Sequence, residues 1–197
     1  MRVRAGVVVL GVGVVLGACT PSGEEPTPTA EPTSESPSPS GEASGESTDE
    51  RPEVEAPERP VEMGEETVEG AVAAAEYFVE LYPYVYASGD LTEWDALSDE
   101  GCGFCSNVRE RAEELHADGG YSVGGDVEVA GAQGGGPYED DSYVVEFALT
   151  IAESEFRHAD GTSTTYNEVV EPRFLVSMIW RDASWIVLGI SQGEEGA

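Results

Sequence analysis

The spacing of apolar residues changes three times along the chain. Residues 5 to 16 form an unbroken apolar run of Val, Leu, Gly and Ala, and residues 20 to 62 hold almost no large apolar side chain. Val68, Val72, Ala75, Val79, Tyr82 and Tyr86 then recur at alternating steps of four and three, widened by Leu81 and Val85. That period predicts a long amphipathic helix starting near Thr67. Pro83 predicts a kink or break, because it removes a backbone donor and disfavours helical geometry at Tyr82. Gly89 ends the element. Asp90 and Glu93 read as a capping pair for a short helix carrying Leu91, Trp94 and Leu97, and a third helix follows Gly101 and stops at Gly119-Gly120.

From Tyr121 the period becomes two. Tyr143, Val145, Phe147, Leu149 and Ile151 alternate with Val144, Glu146, Ala148, Thr150 and Ala152, which is a strand with one strongly apolar face. Asp160-Gly161 marks a turn. Phe174, Val176, Met178 and Trp180 alternate again, so Pro172 must sit at an edge or a bulge. Arg181-Asp182-Ala183-Ser184 turns the chain into a last strand from Trp185 to Ile190. Gly134-Gly135-Gly136, ahead of Pro137, reads as a flexible loop. Helices first and antiparallel strands afterwards give an α+β fold, with the N-terminal helices packed on one face of a curved antiparallel sheet.

Composition adds a stalk to this picture. Residues 20 to 62 contain nine of the twelve prolines, twelve Ser or Thr and twelve Asp or Glu. Such a segment cannot bury enough surface to offset its ordering entropy. As a flexible coil it would span about 35–40 Å, and Pro-rich, self-repelling sequence more. The expected organisation is therefore a leader over residues 1–18, a disordered acidic linker over 19–62 and a domain over 63–197.

The leader has a basic start at Arg2 and Arg4, and its apolar run is too short for a permanent membrane span. Leu16-Gly17-Ala18-Cys19 closes that run and resembles the lipobox of bacterial lipoproteins. The resemblance implies that Cys19 takes a diacylglyceryl group on its thiol and becomes the first residue after cleavage. The membrane partner is then reached through lipid on Cys19, at the extracytoplasmic face of the cell membrane. An ordinary secreted chain and an uncleaved anchor are the alternatives. Loss of Arg2 and Arg4 with the leader would take the net charge from −31 to −33, and the chain has no lysine. A basic face for nucleic acid or anionic head groups is excluded.

Cys102 and Cys105 are the one reactive-looking pair. In an oxidising compartment, with Cys19 lipidated, they make an even pair that reads as a structural disulfide. A thioredoxin-like redox role is the alternative, opposed by the negative charge of Asp95, Asp99 and Glu100 upstream. A metal site would have to recruit His116 and His158 at a spacing that matches no zinc pattern. Each histidine is better read as a surface residue. No nucleophile elbow, phosphate loop or dinucleotide fingerprint occurs, and no cofactor is expected.

Tyr77-Phe78, Ala87-Ser88-Gly89-Asp90, Leu97-Ser98, Cys102-Gly103-Phe104-Cys105, Gly119-Gly120 and Trp185-Ile186-Val187, in this order, resemble a family of uncharacterised actinobacterial lipoproteins. The resemblance implies a nuclear-transport-factor-2-like α+β cone over roughly residues 65–191 and a place in the cell envelope, with no activity attached. Cones of that kind hold a pocket between the first helix and the concave sheet. Tyr82, Tyr86, Trp94 and Glu146 are the candidates to line it. The functional expectation is a non-catalytic module that binds an envelope protein or a small ligand, with a small-molecule enzyme using the pocket as the alternative. A largely filled cone favours the binding module, and a buried carboxylate or histidine with a strongly shifted pKa favours the enzyme.

Overall fold

The computed structural model describes residue 51 and residues 53–193. Cys19, the leader and most of the linker lie outside the described residues. Three helices come first: α1 (Val68–Ser88), α2 (Thr92–Leu97) and α3 (Gly103–Ala117). Seven strands follow: β1 (Tyr121–Gly124), β2 (Val127–Gly135), β3 (Ser142–Ile151), β4 (Ser154–Arg157), β5 (Ser163–Tyr166), β6 (Val169–Arg181) and β7 (Ser184–Gln192). The fold is α+β as expected, but its strands form two antiparallel sheets, ordered β2-β3-β6-β7 and β1-β4-β5.

Thr67 starts α1 by accepting a hydrogen bond from the Gly70 amide at 2.9 Å, and Gly89, at φ 80°, ends it. A side chain at position 89 is excluded twice, since a Cβ would also stand 2.8 Å from the His116 ring. The expected break at Pro83 does not occur, and α1 runs through it as one element. Residues on both sides of the proline, Phe78, Leu81, Val85 and Tyr86 among them, are buried in the core. That burial outweighs a penalty of about 3 kcal/mol for an interior proline.

The face α1 buries is also displaced from the stripe read in the sequence. Its fully buried line is Ala71, Ala74, Phe78, Leu81 and Val85, while Val68, Val72 and Tyr82 are only partly covered on its flank. The flank meets β2 at Gly134. A Cβ there would lie 2.7 Å from Val68 Cγ1 and 2.9 Å from Val72 Cγ2. Gly134 and Gly135 accordingly belong to β2, paired with Val145 and Val144, and the flexible loop expected at these positions begins only after them. A bare backbone is what lets helix and strand approach so closely.

Alternation in β3 holds as read, with Tyr143, Val145, Phe147 and Leu149 buried. Pro172 lies in an interior strand, and the register between β3 and β6 shifts beside it, so it occupies a bulge as expected. Further shifts in the β2–β3 and β6–β7 pairings mean that each interface of the larger sheet carries an irregularity, the usual source of sheet curvature. Trp94, Leu97 and the α1 line fill the concave side against Phe147, Phe174, Val176, Met178 and Val187.

Asp182 and Ala183 join β6 to β7 with φ values of 52° and 60°, a two-residue turn with both central residues left-handed. A left-handed alanine is strained by about 1–2 kcal/mol, part of which glycine returns to unfolded-chain entropy. Ala183→Gly is expected to stabilise the domain by about 1 kcal/mol, seen as a rise in Tm of roughly 4 °C by scanning calorimetry.

Candidate functional site

Residues 53–62 were assigned by composition to the linker, yet with Arg51 they lie on the domain. Arg59 Nε donates to Glu93 Oε2 at 2.6 Å, and the Tyr77 hydroxyl donates to the same oxygen at 3.1 Å. Glu93 is therefore a clamp for the incoming chain. The N-cap of α2 is Leu91, without a side-chain cap, and Asp90 before it accepts from the Thr92 amide through Oδ1 at 2.9 Å. Met63 is buried beneath a 3-10 turn, Val61–Gly64. A few anchors hold a segment whose average composition resembles disordered sequence.

Arg51 is the outermost of these anchors. Its Nη2 donates to the Gly120 carbonyl at 2.6 Å and meets His116 Nδ1 at 3.2 Å, and its guanidinium lies 5.2 Å from the Tyr121 ring centre. With Nδ1 accepting from a cation, His116 carries its proton on Nε2 and donates to the Tyr86 carbonyl at 3.0 Å. It stands at the end of α3 as expected, but as a half-buried bridge between α1, α3 and the N-terminal segment. Burial, followed by the Arg51 charge, lowers its pKa below the ordinary 6.5, against the opposing hydrogen bonds to the Tyr86 and Val85 backbone. A depressed folded-state pKa means that the unfolded chain takes up the proton first. This contribution to stability is complete above pH 6.5 and is lost as pH falls from there through the folded value. Wild type is expected to lose more Tm than His116→Gln between about pH 8 and about pH 5.

Cys102 caps the N-terminus of α3 and Cys105 lies in its first turn, with the Cα atoms 5.3 Å apart and the sulfurs at bonding distance. Neither is reached by solvent to more than 1% of its surface. Trp94 Nε1 donates to the Cys105 carbonyl at 3.1 Å, so the pair is built into the wall of the helical layer. His158 lies apart from it, at the start of the β4–β5 turn, and no group of three or more potential metal ligands occurs among the described residues.

The cone pocket lies between the helices and the concave face of the larger sheet. It measures about 100 Å³, and its walls include Phe78, Tyr82, Trp94, Phe104, Leu149 and Phe174. Of the residues named from the sequence, Tyr82 and Trp94 line it. Tyr86 does not. It packs edge-on against Tyr82 at 5.1 Å between ring centres and against Phe156 at 4.9 Å, and burial raises its pKa strongly. Glu146 lies on the opposite face of β3, where its Oε2 accepts from Arg173 Nε at 2.9 Å in an exposed ion pair. The carboxylate that does reach the pocket is Glu171, with Gln192 Nε2 donating to its Oε1 at 2.7 Å. Sequence alternation in β6 hid Glu171, because the bulge at Pro172 interrupts the period there.

This arrangement holds a small apolar group well and offers little to acid–base chemistry. Tyr82 and Glu171 are the ionisable side chains lining the pocket, and desolvation raises the pKa of Tyr82 above the usual phenol value. A broader groove of about 300 Å³ lies between Val54, Pro57, Pro83, Tyr84 and the end of β1, open to solvent and mixed in character. Among the described residues no helix is long and apolar enough to cross a membrane.

Residues 44–191 match the model of a family described as of unknown function, DUF6318. No curated protein matches the chain significantly. Similar solved structures include the intermembrane space region of the chloroplast protein ARC6, at TM-score 0.50 and 11% identity, covering 64% of this chain and 95% of that one. The association domain of CaMKII from C. elegans aligns at TM-score 0.41 and 9% identity, over 66% of this chain and 100% of the other. An uncharacterized protein with a cystatin-like fold from Caulobacter vibrioides aligns at TM-score 0.38 and 8% identity, over 62% and 89%. At such identities the likeness is one of fold alone.

Proposed function

The chain belongs to the DUF6318 family of unknown function, and from that premise we propose that it is a lipid-anchored envelope protein whose cone is a non-catalytic binding module. The single observation that carries the binding reading is the cone pocket: about 100 Å³, aromatic and, among the described residues, without a histidine or a second carboxylate in its lining. Pockets that bury a drug-sized ligand run to about 300–1,000 Å³. This one suits a few heavy atoms, presented by a small ligand or at the end of a larger partner. Burial of Cys102 and Cys105 supports a structural disulfide over an exchanging one, because a thiolate must be reached to react. For a short loop such a bond contributes about 2 kcal/mol.

Location rests on Leu16-Gly17-Ala18-Cys19 and the acidic stretch after it, read as tether and stalk of an actinobacterial lipoprotein. Two acyl chains hold a protein on a membrane where one is marginal.

Benzene is a direct probe of the pocket, since an apolar cavity of about 150 Å³ is known to accept it. Saturable shifts of the Trp94 indole N–H resonance are expected when benzene is added to the full-length chain. Val169, 44% exposed and part of the pocket lining, allows a plug. Val169→Trp should abolish the shifts without unfolding the core. Shifts that survive the plug, or no shifts at all, would remove the pocket from the proposal.

A further inference from the structure

We propose that the cone pocket receives a small quaternary ammonium cation, an assignment that rests on the pocket being the binding site. Five aromatic residues contribute to the lining: Phe78, Tyr82, Trp94, Phe104 and Phe174. Phe78 and Trp94 are stacked at 4.2 Å between ring centres. Phe104 is spaced differently, at 6.4 Å from Tyr82, 6.2 Å from Trp94 and 6.5 Å from Phe174. It packs against the core only in part and so forms the outer wall. Rings bring negative quadrupole faces, which attract a cation within about 6 Å of a ring centre.

Aromatic walls alone would hold a neutral hydrocarbon equally well, and charge decides between the two. Among the described residues Glu171 is the one charged side chain in the lining, and it is steadied by Gln192. No arginine among the described residues lines the pocket. Arg111, whose positive charge reaches the Tyr82 hydroxyl, stands outside it. The whole chain carries a net charge of −31 and has no lysine, so its field raises the local concentration of cations.

The same lining selects among cations. A primary ammonium has three N–H donors to satisfy, and leaving them unpaired in an apolar site is costly. The lining offers few acceptors, at Glu171, Gln192 and Tyr82. A quaternary ammonium has its charge spread over methyl or methylene groups, carries no N–H and needs no acceptor. A volume of about 100 Å³ matches a head group of tetramethylammonium size.

The test uses the full-length chain at constant ionic strength, titrated with tetramethylammonium chloride or with tert-butanol, a neutral molecule of similar shape. The Trp94 indole N–H resonance reports binding. Tetramethylammonium is expected to bind about tenfold more tightly than tert-butanol, the scale of a partly desolvated cation–π interaction. Phe104→Leu should weaken it about tenfold. Glu171→Gln, at the pocket mouth where folding is not at stake, should weaken tetramethylammonium about threefold and leave tert-butanol unchanged. Equal affinities, or a tetramethylammonium affinity unmoved by both substitutions, overturn the cation assignment while a benzene-binding pocket stands. Failure of benzene, tert-butanol and tetramethylammonium together overturns both.

Discussion

Cys19→Ser is expected to remove the protein from the membrane fraction or to leave it as an uncleaved precursor. Under the lipoprotein proposal the thiol is the nucleophile that takes the diacylglyceryl group, and a serine hydroxyl is far weaker at neutral pH. Loss of two acyl chains removes on the order of 0.8 kcal/mol per buried methylene, far more than stable anchoring needs, so the change should be close to all or none. Fractionation reads the location, and mass spectrometry of the mature N-terminus reads the modification. The variant's domain should melt as wild type, because the described fold begins beyond residue 50. An unmodified cysteine on a membrane-bound wild-type protein would end the lipoprotein proposal.

Trp94→Ala is expected to be the most damaging single substitution in the domain. The indole is 1% exposed, stacks on Phe78 at 4.2 Å and donates to the Cys105 carbonyl at 3.1 Å, so it joins α1, α2 and α3. Removing a buried tryptophan costs about 3–5 kcal/mol. With a total stability of about 5–15 kcal/mol, much of the margin would go, and Tm should fall by roughly 12–20 °C. Trp94→Phe keeps a ring and loses the N–H, and should fall between the two. A Tm within a few degrees of wild type for the alanine variant would show that the indole is not the central joint.

The apolar periods made the architecture legible. Steps of three and four located α1, and alternation located β3 and β6, because both signals come from one-sided burial. The same signals misplaced the centre of α1, since alanine counts little in a stripe judged by large residues. Ala71 and Ala74 are fully buried because the helix packs close. Gly134-Gly135 misled for a related reason: triple glycine suggests freedom, while the requirement at Gly134 is closeness. Of the pocket, Tyr82 and Trp94 could be named from the helical pattern. Glu146 was assignable to the outer face from its own alternation with Val145 and Phe147. Glu171 needed the bulge at Pro172, and the clamps at Arg51 and Arg59 needed tertiary contacts that no local pattern encodes.

Gly134 also makes the gap between helix and sheet an adjustable dimension. Because Val68 and Val72 close on a bare backbone there, a single methyl group at this position would act as a wedge at one end of α1. The far end is tethered by His116, whose ring donates to the Tyr86 carbonyl at 3.0 Å. A wedge at one end and a tether at the other are expected to tilt the helix over the cone, and a changed tetramethylammonium affinity of Gly134→Ala would register it from a residue outside the pocket lining.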